Sequence, residues 1–148
     1  MDAYILEHFA PLMAPVAHAL QDDTSEFRHN MSTKTKVATI ILLDQFTRNA
    51  YRGSSKMFQY DDLASSLAKI VINDRNVPFI TIPWNYRLFV LICLTHMEDE
   101  YSVNQSAIGL SALASELSQD TITYAPVMVT RIKRVFKNTE NHLSIIKR

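Results

Sequence analysis

Ile40-Ile41-Leu42-Leu43-Asp44-Gln45-Phe46-Thr47-Arg48-Asn49-Ala50-Tyr51-Arg52-Gly53 changes from wholly apolar to densely polar within a single helical turn. At about 100° per residue, Asp44, Arg48 and Arg52 form one stripe, Gln45 and Asn49 lie beside it, and Val37 and Ile41 occupy the same face earlier in the helix. A face that begins as core turns polar partway along. Carboxylates, guanidiniums and amides are costly to bury unless paired, so this end of the helix must hold a satisfied network, a ligand pocket, or both.

The rest of the chain reads as helix. Gly53 and Gly109 are the only glycines, while Leu, Ile, Ala and Met recur at three- and four-residue spacing. A first helix is expected from Ala3 to Leu20, bent or divided by Pro11 and Pro15, then a loop from Gln21 to Ser25 and a short helical piece around Phe27. The main helix runs from about Thr33 to Tyr51 and ends near Gly53. Ser54 or Ser55 can cap the next element, and Asp61-Asp62 opens a helix to about Asn73. Phe79-Ile80-Thr81-Ile82 imitates a strand but has no partner run, so it reads as a connecting loop.

Pro83 suits the first turn of a helix through His96 whose middle, Leu88 to Leu94, is apolar on every side. Another helix spans about Ser102 to Leu117. Thr121 or Thr123 with Pro126 opens the last, with Val129, Ile132, Phe136, Leu143 and Ile146 on its core stripe. The expected fold is all-α, a single domain over residues 1–148 of about six or seven antiparallel helices.

Composition bounds the function. With 148 residues and 47% hydrophobic content, the chain can bury about 70% of its unfolded surface without metal or disulfides. Fifteen basic and fifteen acidic residues cancel, which argues against a nucleic-acid or membrane-surface binder driven by bulk charge. No charged leader with a long apolar core starts the chain, and no apolar run approaches the about 18 residues that span a bilayer, so a soluble cytoplasmic protein is expected. The lone Cys93 lies in an apolar run and reads as packing rather than as a catalytic thiol.

The run LLDQFTRNAYRG (Leu42–Gly53) resembles the LLDQFPRNxYRG signature of the domain-of-unknown-function family numbered 924. Arg87-Leu88-Phe89 followed by His96-Met97-Glu98-Asp99 is similar to that family's RLF…HSED block, and His142, Ile146 and Arg148 match its closing H-x-x-x-I-x-R. The resemblance covers the chain from about Glu7 to its last residue. It implies a helical array related to tetratricopeptide repeats, a label that no internal repeat in the sequence supports by itself. It implies no agreed activity. Thr47 and Cys93 stand where the family carries prolines, so two helix kinks are expected to be missing. The family's opening Trp-Phe is missing as well, and its Phe-Gly-Arg-Phe-Pro…Arg-Asn segment after the final arginine is absent, which reads as a shortened or divergent member.

Chemistry concentrates in two blocks. Asp44, Gln45, Arg48, Asn49 and Arg52, together with Arg87, His96 and His142, are the candidate ligand-binding residues. His96, Glu98 and Asp99 are the candidate catalytic ones, since an acid, a base and a guanidinium clamp in one cavity would support proton transfer. The acids at 98–100 oppose a helix dipole, and two structural explanations compete with that role: an N-terminal approach to the helix near Ser102, or pairing with Arg48, Arg52 or Arg87. The spacing matches no zinc motif, and two glycines allow neither a phosphate loop nor a dinucleotide fingerprint, so no metal and no cofactor are implied.

Three functions are compatible with these residues. A helical binding domain receives a small polar ligand or a protein partner. An enzyme of hydrolase or lyase type acts on a small polar substrate through a His/acid/Arg pocket. A descendant of either retains the polar cluster for stability alone. Binding or structural duty leads, because acid-base chemistry needs a completed constellation.

Overall fold

A computed structural model describes residues 2–21, 25–119 and 125–147. Thr121 and Thr123, most of the Gln21–Ser25 stretch and Arg148 lie outside the described residues. No strand occurs among the described residues, and the Phe79–Thr81 stretch forms a 3-10 turn, as its isolation in the sequence implies.

The chain divides into two compact units, Met1–Ile82 and Pro83–Arg148. The first contains α1 (Ala3–His8), α2 (Ala10–Gln21), α3 (Ser25–Asn30), α4 (Thr33–Ile40), a π-helical segment (Ile41–Phe46), α5 (Thr47–Ala50) and α6 (Asp61–Ile72). The second contains α7 (Trp84–Thr95), α8 (Glu100–Ser118) and α9 (Ala125–Ile146). With α4, the π segment and α5 counted as one rod, the described residues form eight helices against the six or seven expected. The surplus comes from the first helix, which divides at Phe9 ahead of Pro11: Pro11 sits in the first turn of α2, where its missing N–H is harmless, and Pro15 lies inside α2 without dividing it.

In the first unit, Asp2 caps α1 by accepting from the Ile5 amide at 3.2 Å, and Ser32 caps α4 by accepting from the Thr35 amide at 3.1 Å. Met13, Ala17 and Leu20 of α2 are buried, as are Val37 and Ile40 of α4 and Ala64, Leu67, Ala68 and Val71 of α6. The rod was expected to run evenly through Thr47. It widens instead into a π turn immediately before that residue, and the Thr47 hydroxyl reaches back to the Leu42 carbonyl at 3.3 Å. Gly53, at φ +87, ends the rod in a left-handed conformation that a side chain would disfavour.

In the second unit, α7 carries the apolar middle read from the sequence, with Val90, Leu91, Cys93 and Leu94 buried. α8 comes close to it at Gly109, where an added Cβ would collide with a methyl of Leu91, and the Ser106 hydroxyl donates to the Leu91 carbonyl at 2.8 Å. α9 packs along α8. Its expected stripe is partly redrawn: Val129 and Ile132 are buried, Phe136, Leu143 and Ile146 are half-buried, and Thr139 takes a wholly buried place. Thr139 can do so because its hydroxyl donates to the Val135 carbonyl at 2.8 Å, which hides its polarity in the helix.

Candidate functional site

The polar end of the 40–53 stretch builds a satisfied network in the first unit. Asp44, at 1% exposure, accepts from Arg48 Nε at 2.9 Å through Oδ1 and from Gln45 Nε2 at 2.5 Å through Oδ2. Arg48 extends its other arm to Asp61 Oδ2 at 2.7 Å and lies 5.2 Å from the centroid of the Phe58 ring. A guanidinium held between two carboxylates and an aromatic face is neutralised and fixed in place. Arg52 and Asn49 pair with each other at 2.7 Å on the outer part of the ridge, with Arg52 exposed.

Two residues here escaped sequence reasoning. Asp61 was legible only as a helix opener. Lys36, at 3% exposure, donates to the His29 carbonyl at 3.0 Å and lies 4.0 Å from Asp74. Its place on the buried side of α4 was the signal, since Lys36, Val37 and Ile40 share that face.

In the second unit, Arg87 is buried and forms a two-pronged pair with Glu116, at 2.8 and 2.7 Å. Hydrogen bonding from Arg87 holds the Glu116 carboxyl below its ordinary value of 4.5, outweighing the smaller opposing effect of burial. Asp99 is the N-cap of α8: Oδ1 accepts from the Ser102 amide at 2.9 Å and Oδ2 from the Ser102 hydroxyl at 2.6 Å. Glu98 is exposed, and Glu100 pairs with Lys147 at 3.3 Å. The acidic run thus serves the start of α8, the first of the two structural explanations.

His96 and His142 do come together. A cavity of about 370 Å³ beside the C-terminal end of α7 is lined by Ile92, Thr95 and His96 from that helix and its cap, and by Val135, Asn138, Thr139 and His142 from α9. The α9 residues follow i, i+3, i+4, i+7 spacing and so form one stripe. His142 Nδ1 lies 3.1 Å from the Thr95 carbonyl oxygen. A carbonyl only accepts, so Nδ1 carries the proton and the neutral ring has its lone pair on Nε2.

The first unit has a larger depression, about 480 Å³, lined among others by His29, Lys69, Asp74 and Arg75. It sits where α6 ends, and its basic residues offset the negative end of that helix. Among the described residues no three His, Cys, Asp or Glu side chains converge as metal ligands would, and no helix is long and apolar enough to cross a membrane.

Compared with known proteins, the chain matches over residues 1–148 the family described as "Bacterial protein of unknown function (DUF924)". No curated protein and no solved structure matches it.

Proposed function

From the premise that this chain belongs to the DUF924 family of bacterial proteins, we propose that it is a helical binding domain whose ligand is a small polar molecule held in the cavity between α7 and α9. The observation that carries the reading is the fixed orientation of His142 on the Thr95 carbonyl, in a cavity that His96 also lines. Orienting an imidazole through its far nitrogen leaves the near one with a defined role toward a ligand. The Asp44, Arg48 and Asp61 network is assigned to stability, because each charge in it already meets an opposite one.

The enzyme reading has weaker support. It needs His96 to act with Glu98 or Asp99, whereas Asp99 is committed to capping α8 and Glu98 lies on the surface. The proposal takes residues 1–148 as one helical domain, in keeping with a family match that spans the chain. The tetratricopeptide-like array and the cytoplasmic location are further parts of the proposal, drawn from the sequence alone. A thermal-shift screen of polar metabolites against the whole chain tests the binding role. At least one compound should raise the melting temperature of the parent and of Lys34→Ala, and fail to raise that of His96→Ala. A screen without a hit overturns the reading.

A further inference from the structure

We infer that the α7–α9 cavity selects a hydrogen-bond donor that carries positive charge, specifically a small primary amine in its ammonium form, over an anion of the same size. The inference rests on the reading of this cavity as the binding site, and it comes from where the protons of the lining are committed. The Thr95 hydroxyl donates to the Ile92 carbonyl at 2.6 Å, and the Thr139 hydroxyl donates to the Val135 carbonyl at 2.8 Å. Each hydroxyl has one proton, so neither threonine offers a donor, and Thr95, the half-buried one of the two, keeps acceptor lone pairs for a ligand. His142 is in the same position: with Nδ1–H donating to the Thr95 carbonyl, neutral imidazole has a lone pair on Nε2. Thr95 and His142 are thus acceptors, Thr139 is buried with its proton spent inside the helix, the exposed Asn138 amide offers donor and acceptor alike, and the His96 ring can take either part.

Two further features favour a cation. The cavity adjoins the C-terminal end of α7, where the helix dipole is negative. Neither lysine nor arginine lines it, so nothing there clamps a carboxylate or phosphate in the way a guanidinium would. An ammonium group has three N–H donors and no acceptor, which suits in sense the lone pairs that Thr95 and His142 present. Ile92 and Val135 supply apolar wall for a short carbon chain. Thr95, His96 and His142 are half-buried and Asn138 is exposed, so water stays close enough that the charge is not fully desolvated.

The test uses the full chain labelled with 15N and titrated near neutral pH with n-propylammonium and n-butylammonium, and in parallel with propionate and butyrate. The amines should shift the imidazole and backbone resonances of residues 92–96 and 135–142 saturably, and the carboxylates should not. Thr95→Val preserves shape and removes one acceptor, and it should weaken amine binding at least about tenfold, as loss of a hydrogen bond to a charged group implies. Thr95→Ser restores the acceptor and should restore binding. Equal or tighter binding of the carboxylates overturns the proposed polarity while leaving the cavity a binding site. Saturation by neither series sinks the ammonium inference, and the metabolite screen then decides the binding role by itself. Amine binding unaffected by Thr95→Val also overturns the inference, because the acceptor set would not be what holds the ligand.

Discussion

Replacing Asp44 by asparagine tests the pairing inside the buried ridge. Both carboxylate oxygens are engaged, Oδ1 by Arg48 Nε at 2.9 Å and Oδ2 by Gln45 Nε2 at 2.5 Å. Asparagine has one acceptor oxygen, so it keeps one of these bonds and turns its own N–H toward the other donor. Removing one partner of a buried ion pair costs about 3–5 kcal/mol, because the remaining charge is left uncompensated. Arg48 retains Asp61 at 2.7 Å and a side chain 15% exposed, and both reduce the loss. The expected cost of Asp44→Asn is therefore about 2–3 kcal/mol, or a fall in melting temperature of about 4–12 °C for a chain of this size. Urea unfolding followed by far-ultraviolet circular dichroism measures it, with the slope checked for constancy. Arg48→Met should cost more, about 3–5 kcal/mol, because it removes the one guanidinium that two carboxylates share, one of them fully buried. If Asp44→Asn lies within about 0.5 kcal/mol of the parent, the ridge is not held by this pairing and the structural assignment fails.

The Glu116 carboxyl is depressed in the fold, so the stability it lends is fully present above its unfolded value near 4.5 and is lost as pH falls through the lower folded value. Between about pH 5 and about pH 3 the parent should lose more stability than Glu116→Gln, by no more than about 1 kcal/mol because the side chain is 46% exposed; parallel curves would refute the coupling. Gly109→Ala places a Cβ against the buried Leu91. Overpacking of about 1–3 kcal/mol should outweigh a helix-propensity gain of about 1 kcal/mol, and a variant more stable than the parent in thermal melts would contradict the close approach of α7 and α8.

Much of the candidate site was legible because local spacing produced it. Asp44 and Arg48 are one turn apart on one rod, so their pairing could be read directly. Asp99 as a cap for Ser102 was readable for the same reason. Arg87 was readable as a guanidinium in need of a carboxylate, but Glu116 lies 29 residues away on another helix, and no periodicity links the two. His96 and His142 were both singled out from the family resemblance, whereas the acceptor character of their cavity depends on hydroxyl protons whose partners are fixed only by the folded backbone. Lys36 was missed because a lysine on an apolar face reads as surface until a carbonyl such as that of His29 is placed beside it.

The sequence by itself determined the all-helical class, the proline division of the first helix, the helix starts at Asp61 and near Asp99, and the point at which the 40–53 stretch turns polar. Each of these depends on interactions within a few residues along the chain, where covalent geometry fixes who meets whom. Tertiary structure alone decided that Arg48 reaches Asp61, that Arg87 takes Glu116, and that His142 docks on the Thr95 carbonyl. Those partners are brought within hydrogen-bond reach by the packing of different helices, whose register is set by summed side-chain fit along their whole length and not by any short segment of sequence.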